Sequence, residues 1–315
     1  MSAGDARDNA LYGTPGVGDM PATATASYGW LHNPWRKPRF LQAITWGYLL
    51  WSIVPVIIAV MFSFNAGRSR STWQGFSMRW WYQDPFDSLW NDPALRSAMF
   101  QTFRLSVLTV LFAVPLGTAF AIGIDRWRGR PARTANFFML FSFVVPEIIL
   151  GTSLFLLFTS LLQSVMNLGT TAQVLGLVTF QLSYPVIIVR ARLLSIGPEF
   201  EEAAMDLGAS ATQALRRVLL PLLWPAILAS SALVFADSVD NFVTVRYLSA
   251  QAPTEPLSVK IYSAARSSPT PAVNAAATVM LIATLSVIAI AFVAYRRISG
   301  SRGEELSTPA AIAEL

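Results

Sequence analysis

The chain of 315 residues contains no cysteine and a single histidine, His32. Without thiols it has no disulfide, no thiolate metal site and no cysteine nucleophile. One histidine is too few for a histidine metal site and argues against a Ser-His catalytic triad. We therefore expect no catalytic residue, no metal site and no cofactor on this chain, which predicts that it is not an enzyme.

Charged residues are also scarce, at 13% of the chain, whereas 54% of the residues are hydrophobic. That composition leaves too little polar surface to cover a soluble globule, so we expect the chain in a lipid bilayer. A net charge of +5 can indicate a protein that binds nucleic acid. The basic residues flank apolar runs instead of alternating with aromatics, however, so membrane topology explains them better and no nucleic-acid partner is expected.

Several apolar runs are each long enough, at about 20 residues, to cross a bilayer core as a helix. They predict an all-α, polytopic membrane protein with about six transmembrane helices. Polar residues and Pro185 interrupt the fourth run. The predicted spans lie near 41–64, 98–123, 136–161, 172–191, 218–241 and 273–295.

Clusters of arginine and lysine set the expected orientation. They precede the first span, fill the second loop, flank the fourth span and follow the last one. Because cytoplasmic loops carry an excess of Lys and Arg, both termini are predicted to be cytoplasmic. Residues 1–38 are expected to form a disordered N-terminal tail, 39–297 the transmembrane domain and 298–315 a C-terminal tail.

Aromatic residues crowd the segment 65–97 after the first span. Their amphipathic rings are typical of a headgroup interface, which favours an interfacial anchor. A surface for a substrate or partner is the alternative. The residues are Trp73, Trp80, Trp81, Tyr82 and Trp90.

The segment 196–221, between the fourth and fifth spans, predicts two short helices. Gly197 and Pro198 are good helix-start residues, and three glutamates follow in the first turn, where the helix dipole favours negative charge. Gly208 permits a left-handed turn that ends the first helix, and Ser210 can cap the second. The small residues that follow the glutamates would let a partner protein approach closely, so the segment could dock in a groove. An amphipathic loop lying on lipid is the alternative.

Three acidic residues, Glu147, Asp237 and Asp240, fall within or near spans. A charge at a helix centre costs about 2.5–3.5 kcal/mol, so an intramembrane carboxylate is a functional-site hypothesis by default. Asp237 and Asp240 are three residues apart and are expected on one helix face. With Asn241 they would line a path for a cationic solute. Alternatively, they pair with an arginine or a partner subunit, or Asp240 lies at the outer interface.

Four prolines, Pro55, Pro115, Pro146 and Pro185, lie inside predicted spans. Neighbouring helices or water can satisfy the carbonyls that such prolines free. They are read either as simple kinks or as hinges for alternating access.

The spacing of residues in the segment 196–221 resembles the EAA loop of ABC transporter permeases from binding-protein-dependent importers. The matching positions are Glu202, Ala203, Ala204, Gly208, Val218, Leu220 and Pro221. Val218 stands where the family commonly has isoleucine. In that family the loop forms a coupling helix that docks in a cleft of the ATP-binding subunit. The resemblance implies ATPase coupling through Glu202, Ala203, Ala204, Gly208, Leu220 and Pro221.

The resemblance extends over residues 45–295 and is strongest to spermidine/putrescine-type permeases. Supporting stretches are Trp80-Trp81-Tyr82, residues 146–154 and residues 235–243. Glu147 stands where the family usually has aspartate, and Asp240 is followed by Asn241 where two adjacent acids are common. The resemblance implies the type I ABC importer fold and a path for a polyamine or related cationic compound.

The resemblance also implies the partners. They are two ATP-binding subunits that carry ATP-Mg, a second homologous permease and an extracytoplasmic solute-binding protein, assembled in the inner membrane. The chain itself has no glycine-rich phosphate loop, which agrees with ATP hydrolysis on a separate subunit. The alternative functions are a secondary transporter, or a channel, that works without an ATPase. Against them, the chain shows no evident repeat or proton relay.

Overall fold

The computed structural model describes residues 39–69, 71–126, 129–250, 254–267 and 270–303. The predicted N-terminal tail with His32, and residues 304–315 of the predicted C-terminal tail, lie outside this part of the chain. The protein divides into two units, 1–56 and 57–315. The described part of the first unit is the larger part of one apolar helix, and every contact discussed below lies within the second unit.

The described residues are helical almost throughout, and their only β-type pairing is an isolated bridge between Asn65 and Phe76. The all-α prediction is therefore confirmed. π-helical turns lie at Arg79–Gln83, Leu157–Leu161 and Leu215–Leu219. The helices are α1 Arg39–Phe62, α2 Pro93–Arg126, α3 Arg130–Val144, α4 Glu147–Leu156, α5 Thr170–Gln181, α6 Ser183–Ile196, α7 Glu199–Asp206, α8 Ala211–Ala214, α9 Leu220–Asp240, α10 Val243–Leu248, α11 Leu257–Arg266 and α12 Pro271–Gly303.

Five helical stretches in the described residues are long and apolar enough to cross a membrane. They are α1, α2, the joined α5 and α6, the stretch from α8 through α9, and α12. A shorter apolar stretch, Glu147–Leu161, supplies the sixth element. The prediction of about six spans is confirmed, and the polar residues of the fourth run interrupt its helix only at Leu182.

The third span differs from the continuous helix expected over 136–161. Val145 and Pro146 are extended, with ψ of 128° and 130°, so α3 ends before them and α4 begins after them. Proline disfavours the helical conformation in the residue before it and has no N–H to donate. Pro55 and Pro115, by contrast, lie inside the continuous helices α1 and α2.

The last two spans extend beyond their predicted limits. The fifth was expected to begin at residue 218, but α8 and a π-helical turn lead directly into α9, so the helical stretch begins at Ala211. The sixth was expected to end at 295, with a tail from 298, whereas α12 continues to Gly303. In both places the helical backbone continues through charged residues, Arg216 and Arg217 in the fifth stretch and Arg296 and Arg297 in the sixth.

The interior of the bundle rests on close contacts between small or branched residues. Helices in lipid gain little from the hydrophobic effect, so close packing holds them together. A Cβ on Gly117 of α2 would lie only 2.5 Å from Cγ of Pro185 on α6. The buried cluster that joins α2, α3, α6 and α9 contains Ala121, Met139, Val186, Val189, Leu193, Leu219, Leu223 and Ala226.

The opposite end of the bundle contains a second buried cluster and a polar network. Trp80, with Leu89, packs there against the starts of α2, α11 and α12. Gln101 Nε2 donates to Gln173 Oε1 at 2.8 Å, and Gln173 Nε2 donates to the carbonyl of Thr254 at 2.9 Å. Because buried amides are costly when unpaired, this network fixes α2, α5 and the loop before α11 together.

Candidate functional site

The segment 196–221, called the platform from here on, contains both helices predicted for it. Gly197 has a φ of +74°, and α7 follows after Pro198 with three glutamates in its first turn. The helix ends at Asp206. Gly208 has a φ of +89°, a backbone conformation that favours glycine.

Ser210 caps the second platform helix. Its Oγ accepts from the backbone N–H of Gln213 at 3.3 Å, and Gln213 Oε1 accepts from the N–H of Ser210 at 2.9 Å. This reciprocal pair is a capping box. Because α8 leads through a π-helical turn into α9, the platform is continuous with the fifth span.

Most residues predicted to contact an ATPase lie on the platform surface. Glu202, Ala203 and Gly208 are exposed, and Ala204 is half-buried. A Cβ on Gly208 would meet nothing within 4 Å, so its backbone angle, not lack of space, requires glycine. Leu220 and Pro221 lie instead at the start of α9 and line a cavity of about 860 Å³ between α2 and α9.

Three apolar side chains on the platform were missed by the sequence analysis. Phe200, Met205 and Leu207 are 55%, 43% and 90% exposed. Exposed apolar patches on a protein surface mark interaction sites. The signal was present in the sequence as large apolar residues among glutamates in a segment outside the spans.

One ion pair joins the platform to the end of α2. The Arg126 guanidinium donates to Glu201 Oε1 of α7. Their side chains are 42% and 17% exposed, and exposed ion pairs contribute only about 0–1 kcal/mol. The pair therefore orients the platform more than it stabilises the fold.

The structure brings Glu147 and Asn241, two of the predicted path residues, into direct contact. Glu147 Oε1 accepts from Asn241 Nδ2 at 2.6 Å. It also accepts from Oγ1 of Thr244 at 2.8 Å and from the backbone N–H of Thr244 at 3.3 Å. Asn241 is only 7% exposed. This group connects the break in the third span with the end of the fifth.

Asp237 and Asp240 face different neighbours, although they share one side of α9. Asp237 Oδ1 accepts from the hydroxyl of Tyr184 on α6 at 3.3 Å. Its Oδ2 is buried, and the side-chain amide of Gln181 lies close enough to interact with this carboxylate. Asp240 is exposed and lines a cavity of about 310 Å³ together with Ser258 of α11 and Met280 of α12. The expected single group of acids is thus divided.

Arg246, a conceivable partner of these acids, pairs instead with Glu255 at 3.5 Å. The ion pairs found among the described residues do not include Glu147, Asp237 or Asp240. The same residues contain no group of three or more His, Asp or Glu side chains placed to hold a metal ion. What the acids offer is negative charge and hydrogen-bond acceptors.

The aromatic segment between α1 and α2 has an interior of its own. Trp80 is fully buried, and its Nε1 donates to the carbonyl of Asn65 at 2.6 Å. The Arg79 guanidinium lies 4.9 Å from the centroid of the Trp80 ring. Tyr82 and Trp90 are exposed. The aromatic residues therefore divide into a buried core and an exposed surface, and only the surface is available to a headgroup region or a partner.

Asp84 lies in a turn of this segment. Its carboxylate accepts from the backbone N–H groups of Asp87 and Phe86, at 2.9 and 3.1 Å. These two bonds, aided by an ion pair with Arg79 at 2.9 Å, hold the pKa of Asp84 below its usual range, although burial acts in the opposite direction. The turn at Asp84 is therefore held by a charged acceptor.

Comparison with known proteins connects this architecture to a family. Residues 113–302 match the family model described as binding-protein-dependent transport system inner membrane component. The spermidine/putrescine transport system permease protein PotC of Escherichia coli (strain K12) is 33% identical over 268 residues, which cover 84% of this chain and 96% of PotC. The putrescine transport system permease protein PotI of the same strain is 31% identical over 255 residues, covering 80% of this chain and 87% of PotI.

A solved structure has the same fold. It comes from a bacterial ABC transporter involved in the import of the acidic polysaccharide alginate. The TM-score is 0.66 at 17% sequence identity, over 82% of this chain and 96% of that chain. At this identity the likeness shows the fold alone.

The family match and the relatives identify the class of protein as the membrane subunit of a transporter. The chain belongs to the family of binding-protein-dependent transport system inner membrane components. It is a multi-pass inner-membrane permease subunit, and not an enzyme, in a system that works with a binding protein. The resemblance inferred from the loop spacing is confirmed at the level of the family.

Proposed function

We propose that this chain is one permease subunit of an ATP-driven importer for a polyamine or related cationic compound. A second homologous permease, two ATP-binding subunits and an extracytoplasmic solute-binding protein complete the transporter. ATP-Mg is bound and hydrolysed on the ATP-binding subunits. The observation that carries the proposal is the platform, which combines an exposed apolar surface with a continuous helical connection to a span.

The coupling role is supported by how the platform is attached. Its second helix is continuous with α9, and Glu201 of its first helix pairs with Arg126 at the end of α2. A displacement of the platform would therefore move α9 directly. Phe200 and Leu207, which are exposed in the isolated chain, would be buried in a groove of the ATP-binding subunit.

The proposed orientation places the platform and both termini in the cytoplasm. Arginines are frequent toward the platform end, as expected for the cytoplasmic side, although Arg68, Arg79, Arg96, Arg246, Lys260 and Arg266 lie elsewhere. The segment with Trp80 then lies on the opposite side, where a solute-binding protein would dock. The described arginines at the platform end are Arg126, Arg130, Arg133, Arg190, Arg192, Arg216, Arg217, Arg296 and Arg297.

The proposed solute class rests on two observations. The relatives named above transport spermidine or putrescine, as their names state. This chain also retains acids in its spans: Asp237 lies near the carboxylates of Glu147 and Asp240, and Asp240 is exposed in a cavity. A carboxylate in a membrane span is costly unless a cation or a donor meets it.

The test is the whole transporter, purified in mild detergent through a tag on this chain and reconstituted in liposomes. We expect an ATP-binding subunit to copurify and radiolabelled spermidine to enter only with ATP. Glu202→Arg should lower recovery of the ATP-binding subunit severalfold, because it reverses a charge on the exposed platform. Glu199→Arg is the matched control. It reverses the same charge at another exposed position in the first turn of α7, but this position is not among the predicted coupling residues, so recovery should stay unchanged.

Two outcomes would overturn different parts of the proposal. If the chain purified alone carries solute into liposomes without ATP, it is a secondary transporter. If the ATP-binding subunit copurifies but only an anionic or neutral solute is transported, the coupling stands and the solute class is wrong.

A further inference from the structure

Two helix interruptions meet inside the bundle. The first is the extended pair Val145 and Pro146 between α3 and α4. The second lies at Asn241, which has a ψ of 123° and separates α9 from α10. Each interruption frees backbone groups that lipid cannot satisfy, so each needs partners within the protein.

Glu147 connects the two interruptions through one oxygen. Its Oε1 accepts from the side chain of Asn241 and from both the hydroxyl and the N–H of Thr244. Asn241 is held in turn, because its Oδ1 accepts from the N–H of Val245 at 3.4 Å and its carbonyl from Ser258 Oγ at 2.7 Å. Glu147 is the acceptor in each of these bonds, and none of the donors carries a positive charge.

Small residues bring the helices around this carboxylate close together. A Cβ on Gly151 of α4 would lie 3.2 Å from Cδ2 of Tyr247 and 3.6 Å from Cα of Thr244. A Cβ on Gly176 of α5 would lie 2.4 Å from Cδ1 of Leu248 and 2.9 Å from Cγ2 of Thr244. The helix α10 is thus closely packed between α4 and α5, which leaves little freedom for the turn that Glu147 holds.

The carboxylate of Asp237 accepts fewer hydrogen bonds than the carboxylate of Glu147. Asp237 accepts from Tyr184, and its other neighbours are the side-chain amide of Gln181 and the carboxylates of Glu147 and Asp240. Like charges placed close together repel each other, and a cationic group would relieve that repulsion. The two acids therefore have different hydrogen-bonding states in the same bundle.

We propose that Glu147 is a positioning residue whose hydrogen bonds to Asn241 and Thr244 connect the break in the third span to the turn after the fifth. This set of hydrogen bonds is called the clasp from here on. Glu147 acts as a hydrogen-bond acceptor, and its negative charge is not what the transporter uses. Asp237 is the acid that meets the transported cation. The uptake measurement for this inference rests on the proposed function, whereas the clasp itself does not depend on which solute is transported.

Three variants of the whole reconstituted transporter separate the two roles, with radiolabelled spermidine as the probe. Glu147→Gln keeps a carbonyl acceptor in place, so uptake should stay within about threefold of the parent. Glu147→Leu removes the acceptor and leaves Asn241 and Thr244 unpaired, so uptake should fall about tenfold or more. Asp237→Asn removes a charge without changing size and should also lower uptake about tenfold or more.

A second measurement reports the clasp without any solute. The chain has no native cysteine, so spin labels on Ile148→Cys and Arg246→Cys measure the distance between α4 and α10 without background. Both positions are exposed. The distance distribution should be equally narrow in the parent and in Glu147→Gln, and broader in Glu147→Leu.

The clasp is overturned if Glu147→Gln loses as much uptake as Asp237→Asn, or if Glu147→Leu leaves the distance distribution unchanged. If the unaltered transporter does not transport spermidine, the proposed solute is wrong. The spin-label distances then still decide the clasp.

Discussion

The platform and the segment 63–92 lie toward opposite ends of the bundle, and they differ in whether they bury a large apolar side chain. Trp80 in the segment is 0% exposed, and its N–H is paired within the chain. Leu207 on the platform is 90% exposed. The segment packs Trp80 into the bundle and leaves Phe86 and Trp90 exposed, whereas α7 of the platform buries none of its residues.

Because of that difference, we expect substitutions in the two regions to affect different properties: the stability of the folded chain or the assembly of the transporter. A substitution at a buried residue of the segment, such as Trp80, should destabilise the folded chain, because it removes packing inside the bundle. A substitution on the exposed platform should leave the fold intact and weaken the transporter complex. The predictions below test this separation.

The largest effect is expected from Trp80→Ala. Removing a fully buried tryptophan leaves a cavity and should cost about 3–5 kcal/mol of the free energy of unfolding. Chemical unfolding of the purified chain in detergent measures it. Tyr82→Ala, at an exposed neighbouring position, should change that free energy by no more than about 0.5 kcal/mol. Equal losses from both variants would show that the segment has no core.

Gly208→Pro should act on assembly. Proline fixes φ near −65°, which is opposite in sign to the +89° observed, so the turn between the platform helices cannot form. We expect recovery of the ATP-binding subunit to fall about tenfold or more. Gly208→Asn, which tolerates positive φ, should largely preserve it. Full recovery with proline would mean that the turn is not needed for docking.

Leu207→Ser should weaken docking more modestly. Burying a leucine contributes about 1.5–3 kcal/mol, so losing it at a partly buried contact should lower affinity for the ATP-binding subunit severalfold. The midpoint of thermal unfolding of the isolated chain should not move, since this side chain contacts mainly solvent. A lowered midpoint with unchanged affinity would show that Leu207 stabilises the fold and does not contribute to docking.

The smallest effect concerns acid. The pKa of Asp84 is lower in the folded chain than its value of about 3.9 in an unfolded one. Its contribution to stability is therefore complete above about pH 4 and is lost as the pH falls through the lower, folded pKa. Asp84→Asn should be less stable at neutral pH and should lose less on acidification. Unfolding curves at a series of pH values give the free energy of unfolding of both proteins. If that free energy falls equally in the parent and in Asp84→Asn as the pH is lowered, Asp84 does not make this contribution.

Features that depend on local chemistry could be predicted from the sequence. The lengths of the apolar runs predicted the spans. Gly197, Gly208 and Ser210 predicted the start, end and cap of the platform helices, because each acts on its own backbone neighbours. The spacing of the platform residues also predicted the family correctly.

Features that depend on distant contacts could not be predicted. The run 136–161 is apolar throughout, and proline is tolerated in spans, so nothing local showed that Pro146 would mark a break where Pro115 does not. The acceptor at that break is Glu147, and its donor Asn241 lies 94 residues away. Helical periodicity likewise placed Asp237 and Asp240 on one face, but which helices pack against that face is a tertiary property.

The most direct test of the central claim is photocrosslinking from single cysteines, which the absence of native cysteine makes unambiguous. A thiol-linked photoreactive group is placed at Leu207→Cys on the platform or at Phe86→Cys, an exposed position in the segment 63–92. We expect a crosslink to an ATP-binding subunit from position 207 and none from position 86. A copurifying ATP-binding subunit that crosslinks to position 86 and not to 207 would contradict this expectation.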